Sequence, residues 1–201
     1  VPPALPPERR LRRSLLLAAL GAAASLPRAV RAAPPPHDAP IEGVALDVQD
    51  GDSFVFRGDD GVRRRIRVSG IDAPEKHQPF ADASRRALGA MLRDLRVLVE
   101  PIKQDPFGRT VARVVALGGA QAGRDLGLAQ IEAGLAWHFV RYKADQAPDD
   151  RVRYAQAERS ARAARAGLWR DDAPEAPWDF RARMRRREAA PAATPRPAHA
   201  G

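Results

Sequence analysis

Three short polar segments of this sequence bring together carboxylates and arginines: Asp50-Gly51-Asp52-Ser53, Arg67 followed by Gly70-Ile71-Asp72-Ala73-Pro74-Glu75, and Asp105-Pro106-Phe107-Gly108-Arg109. These residue types suit phosphodiester hydrolysis, which needs a positioned water, a base to take its proton, and positive charge matched to a phosphorane-like transition state. Glu75 can be the base. Asp52, Asp72 and the main-chain carbonyl of Ala73 can hold a hard, oxygen-preferring cation such as calcium. The residue before a proline is pushed to extended geometry, so Pro74 fixes the direction of the Ala73 carbonyl. Arg67 and Arg109 can fork onto phosphate oxygens as no lysine would.

Each segment also has a plain structural reading. Asp50, Gly51 and Asp52 are turn formers. Asp72 and Glu75 can be solvated loop carboxylates, and Arg109 a surface charge. Their joint occurrence favours a site over three coincidences. His77 and His138 have no partner at ligand spacing and read as hydrogen-bonded or exposed. Trp137 and Trp169 read as packing. The run Arg63-Arg64-Arg65 fits a phosphate-tracking patch or a solvated strand face equally.

A length of 201 residues allows one domain with a real core. Cysteine is absent, which excludes disulfides, a thiol nucleophile and a zinc-thiolate centre. The net charge of +9 is concentrated at the ends: residues 1–32 and residues 181–201 each carry six Arg and one Glu, leaving −1 between them. Polyanion binding by the middle must therefore come from local clustering of charge. Arg9, Arg10, Arg12 and Arg13 precede an apolar run from Leu15 to Leu26, with a small-residue cleavage site after Ala32. Residues 1–32 are thus expected to be an export signal peptide, by the Sec or the twin-arginine route. The run is too short for a membrane span, so no stable anchor is expected after cleavage, and the location would be periplasmic or secreted. Residues 33–40 read as a Pro-rich linker, and residues 171–201 as a basic, Pro/Ala/Arg-rich flexible tail.

The elements that must position the polar segments lie in residues 41–170. Val44, Leu46 and Val48 alternate with polar or small residues, Ser53 to Phe56 resumes extended structure, and Arg65 to Val68 follows a Gly58-Asp59-Asp60-Gly61 turn, giving a three-stranded meander. The strand carrying Arg67 is expected to run straight on until Pro74 ends it. Ala87, Leu88, Met91, Leu92 and Leu95 predict a helix after Pro79; Val97–Val99 and Thr110–Leu117 predict two more strands. Asp125 can cap a second helix. Asp149 or Asp150 can cap a third, in which Tyr154, Ala157, Ala161 and Ala164 share a face and Gly167 is the stop. The fold class expected is α+β, mainly β: a small five-stranded barrel with three helices.

In this order, the three polar segments, together with Gly134-Leu135-Ala136 and Gly167-Leu168-Trp169, resemble the signature of the staphylococcal nuclease (thermonuclease) family over about residues 41–170. That resemblance implies an OB-fold barrel and calcium-dependent cleavage of DNA and RNA to 3′-phosphate ends. It implies Asp52 and Asp72 as Ca2+ ligands, with Ala73 contributing its main-chain oxygen. Glu75 would be general base or water-orienting residue, and Arg67 and Arg109 phosphate ligands. Tyr142 falls where the family often has an aromatic residue against the nucleotide, whereas Val140 stands where a second substrate-contacting tyrosine occurs.

A different class of function is an OB-fold module that binds single strands without cutting them. Such a binder has no need of Asp52, Asp72 and Glu75, which repel a polyanion unless a cation intervenes. A structural envelope protein would show neither calcium dependence nor nucleic-acid affinity. The enzyme is the expectation, acting as a monomer on DNA and RNA.

Overall fold

The computed structural model describes residues 39–189. The expected signal peptide, most of the Pro-rich linker and the last twelve residues lie outside them. Five strands close into a barrel: β1 (Ile41–Val48), β2 (Ser53–Gly58), β3 (Arg63–Val68), β5 (Arg96–Gln104) and β6 (Thr110–Ala116), in the order β1-β2-β3-β6-β5. All pairings are antiparallel except β3 with β6, which run parallel with Arg67 opposite Val111. The alternation read from sequence is real. In β6, Thr110, Ala112, Val114 and Ala116 point inward while the residues between them are partly exposed. They meet Phe54, Phe56, Ile66, Val68, Val97 and Val99, all at most 1% exposed. Burial of each of the larger of these side chains contributes roughly 1.5–3 kcal/mol, so the barrel is held by its interior.

Three helices cover the barrel as expected. α1 (Ala81–Leu92) inserts Leu88 and Leu92, and α2 (Leu126–Glu132) inserts Leu126 and Ile131. Asp125 caps α2, accepting from Leu128 N at 3.1 Å. α3 (Pro148–Ala163) buries Tyr154, Ala157 and Ala161. Its cap differs from expectation: the chain enters through Ala147 with Pro148 in the first turn, and Asp149 and Asp150 lie inside that turn. Proline suits this position because the amide it lacks would be unpaired there anyway. α3 also stops earlier than Gly167, the chain turning at Arg165 with φ 50°.

Gly134 and Gly167 explain each other. Both have positive φ, and a Cβ on Gly134 would sit 2.1 Å from the Ala166 carbonyl oxygen while one on Gly167 would sit 2.1 Å from that of Gly134. Leu168 N donates to Gly134 O at 2.8 Å, so two backbones cross where no side chain fits. Above the crossing, Trp137 and Trp169 meet edge to face at 4.3 Å, as packing residues, with Leu168 and Ala161 beside them.

Two further expectations need correction. The strand carrying Arg67 does not run on to Pro74: β3 ends at Val68, Ser69-Gly70 turns, and β4 (Ile71–Asp72) leaves the barrel to pair with β7 (Trp137–His138). The apolar phase shifts there, Val68 and Ile71 being three residues apart where Ile66 and Val68 are two, and Gly70 takes a positive φ of 74° in the turn. Residues from 171 onward are not a flexible tail throughout. Pro177–Ala189 is a helix, α4, whose first residue is buried. Trp178 stacks on Phe139 at 5.5 Å and meets Trp137 edge-on at 5.7 Å, supplying the apolar contact that composition alone did not disclose.

Candidate active site

The turn before β2 is built to hold Asp52. Gly51 packs so closely on α1 that a Cβ there would lie 1.8 Å from Ser84 Oγ. Buried Gln130 of α2 donates to Gly51 O at 2.7 Å and to Ser84 O at 3.0 Å, fixing the turn from beneath. Asp52 is 5% exposed. Its Oδ2 accepts from Ala73 N at 2.8 Å and forms an ion pair with Arg67 Nη1 at 2.7 Å, and its Oδ1 accepts from Ser53 Oγ at 2.9 Å.

Asp72 enters from β4 and is 1% exposed. The other end of the Arg67 guanidinium, Nη2, reaches Asp72 Oδ1 at 2.9 Å, so one arginine bridges both buried aspartates. Arg67 lies opposite Ser53 across the β2–β3 pair, which places its side chain over the turn. The parallel β3–β6 register brings the start of β6 alongside. Arg109 there is held by Asp105, and its Nη1 lies 3.4 Å from Ser53 Oγ. Both arginines therefore reach consecutive residues of a single turn.

Glu75 follows Pro74 on the loop after β4, its side chain 37% exposed. Its amide donates to Gln78 Oε1 at 2.9 Å. The structure thus brings together Asp52, Asp72, Ala73, Arg67, Glu75 and Arg109. Tyr142 lies apart in the 3-10 segment Val140–Asp145, about half exposed, with Lys103 Nζ 4.6 Å above its ring. His138 is buried and bonded to Gln146 at 3.0 Å, as a structural histidine would be.

Burial weighs on the carboxylates of the cluster. Burial above all, and then the charge of Asp52, push the Asp50 carboxyl up to about 7. Burial also raises Asp72, although Arg181 and Arg67 both pull the other way. Among the described residues no group of three or more His, Cys, Asp and Glu is placed to hold a metal ion. The oxygens present, the carboxylates of Asp52 and Asp72 and the main-chain carbonyl of Ala73, are hard donors of the kind that calcium or magnesium takes.

Three contributors escape the sequence reading: Gln130, Gln78 and Arg181. Arg181 of α4 lies 2.7 Å through Nη2 from Asp72 Oδ2, and its Nη1 bonds Glu75 Oε1. A signal for α4 was available in Pro177 opening the helix, Asp179 in its first turn and Arg186 and Arg187 in its last. Nothing in sequence pointed Arg181 at the site.

The family model described as Staphylococcal nuclease homologue matches residues 65–171, more than half of the chain. The Asp50–Ser53 turn lies before that span and α4 after it. A probable staphylococcal-like nuclease, CAN2, of Oryza sativa subsp. japonica is 36% identical over 136 residues, 65% of this chain and 33% of its own length. Protein ParB of Escherichia coli is 34% identical over 169 residues, 82% of this chain and 91% of its own. A protein named uncharacterized endonuclease from Escherichia coli O157:H7 is 30% identical over 145 residues, 72% of this chain and 88% of its own. The chain spans about a third of the length of the plant relatives it matches. With the five-stranded barrel, the family match and relatives of this similarity in hand, the chain belongs to the staphylococcal nuclease family.

Proposed function

We propose that this protein is an exported, calcium-dependent endonuclease that hydrolyses phosphodiester bonds of DNA and RNA and leaves 3′-phosphate ends. The observation that carries the reading is the convergence of Arg67 and Arg109 on Asp52 and Ser53, with Asp72 on the far side of Arg67. Relatives named nuclease and endonuclease support nucleic acid as the substrate. Members of the family use a metal ion. A bound calcium would neutralise phosphate charge, held by Asp52, Asp72 and the Ala73 carbonyl.

The chain's own groups do the rest. Glu75, on a solvent-facing loop, orients a water and takes its proton. Arg67 and Arg109 fork onto the non-bridging phosphate oxygens and meet the charge that grows in the transition state. Asp105 keeps Arg109 in one orientation through its Nε, leaving the terminal nitrogens for phosphate. Tyr142 offers a half-exposed ring on which a base stacks. The leader of residues 1–32 directs the protein to the periplasm or the medium, where it acts as a monomer.

The test is digestion of end-labelled single-stranded DNA and RNA by the full chain, in calcium and in chelator, with the product ends probed by phosphatase. Cleavage in calcium alone, leaving phosphatase-sensitive 3′ ends, supports the reading. Binding without cutting in any divalent ion would replace it with a strand-binding module.

A further inference from the structure

α4 lies beyond the residues matched by the family, yet it makes direct contacts with the site. Arg181 occupies both oxygens of Asp72, Nη2 to Oδ2 at 2.7 Å and Nη1 to Oδ1 at 3.3 Å, and it also bonds Glu75 Oε1. These are the carboxylates assigned above to the cation and to the water. Arg181 adds a second guanidinium to Asp72 and covers the oxygen that Arg67 leaves open, so it competes with a divalent cation for those lone pairs and its charge repels one. The Glu75 oxygen bonded to a guanidinium is also withdrawn from orienting a water.

The docking of α4 is tied to the same loop. Gln78 uses Oε1 to accept from Glu75 N and Nε2 to donate to Glu175 O, just before the helix begins. Arg183 clamps Glu175 through two bonds of 2.8 Å. Trp178 and Pro177 seat the first turn, on Phe139 and Trp137 in the case of the tryptophan. Arg181 itself remains 35% exposed, so it is free to swing to solvent without breaking the core.

We propose that α4 is an autoinhibitory latch whose Arg181 holds Asp72 and Glu75 in the metal-free protein, so that uptake of the divalent cation and release of Arg181 are one linked equilibrium. This rests on the calcium-dependent reading given above. Linkage is reciprocal: the latch weakens cation binding by the factor by which the cation loosens the latch. The protein would thus stay closed at low calcium and open where calcium is plentiful.

The test needs no catalysis. Calcium binding to the full chain is measured by calorimetry for the parent, for Arg181→Ala, and for Trp178→Ala, which unseats α4 without touching a carboxylate. In parallel, tryptic cleavage within Arg185-Arg186-Arg187 is followed with and without calcium. The expected result is calcium affinity about tenfold or more tighter in Arg181→Ala, a shift in the same direction in Trp178→Ala, and faster tryptic cleavage of the parent in calcium. Affinity unchanged within about twofold in both variants would overturn the latch and leave the nuclease reading standing. Weaker affinity in Arg181→Ala would also overturn it, making Arg181 a support of the cation site. If no variant bound calcium, the latch and the calcium-dependent reading would fall together.

Discussion

Asp105 grips Arg109 twice, accepting from its backbone N at 2.8 Å and from its Nε at 2.7 Å. The carboxylate thereby fixes both the turn and the direction of the guanidinium it presents. Asp105→Ala is expected to lower kcat roughly 10- to 100-fold, because a phosphate ligand misplaced by a fraction of its length loses most of its effect. Single-turnover cleavage measures the loss, and a thermal melt shows that folding is retained.

The same carboxylate carries a pH signature. Burial pushes Asp105 up, but the bonds from Arg109 N, the Arg109 side chain and Phe107 N outweigh it and hold it below the usual carboxylate range. A depressed folded-state value gives stability that is complete above the unfolded value, near 4, and is lost as pH falls through the folded one. The stability difference between parent and Asp105→Asn should therefore be constant from neutrality down to about pH 5 and shrink below about pH 4. Urea unfolding at a series of pH values reads it out.

Arg67 neutralises two buried aspartates before it meets any phosphate. Arg67→Ala is expected to destabilise the metal-free protein by about 3 kcal/mol, since it leaves Asp52 and Asp72 facing each other with one partner fewer. Calcium should restore much of that loss by linkage, whereas activity stays down by roughly 3–4 kcal/mol of transition-state stabilisation. Melting in chelator and in calcium separates the two effects.

Tyr154 joins α3 to the cap of α2, donating from its hydroxyl to Asp125 Oδ1 at 2.8 Å, while Arg113 Nε reaches Asp125 Oδ2 at 2.8 Å. Tyr154→Phe keeps the ring and removes the bond. A loss of about 1–2 kcal/mol of stability is expected, with cleavage rate unchanged, as a denaturant titration beside an activity assay would report.

The barrel was legible because its strands alternate cleanly and its turns carry Gly and Asp, as in Ser53–Gly58 and Thr110–Ala116. The helix capped by Asp125 was legible for the same local reason. What local pattern could not carry was anything set by contact at a distance. The break between β3 and β4 depends on β7 arriving from residue 137 to pair with Asp72. α4 forms where sequence statistics favour a tail because Trp178 finds Phe139 and Trp137. Of the residues in the three signature segments, Asp52 and Asp72 pair with Arg67, and Ser53 meets Arg109. The arginine that closes over them, Arg181, came from 106 residues beyond Glu75 and left no periodic trace.

The most direct test of the catalytic assignment is the calcium-dependent cleavage rate of single-stranded DNA by the full chain beside Glu75→Gln, with calcium affinity measured on both. The expected result is a rate lowered by about 100-fold or more in Glu75→Gln while calcium still binds. A variant that cuts as fast as the parent would contradict Glu75 as the group that takes the proton from water.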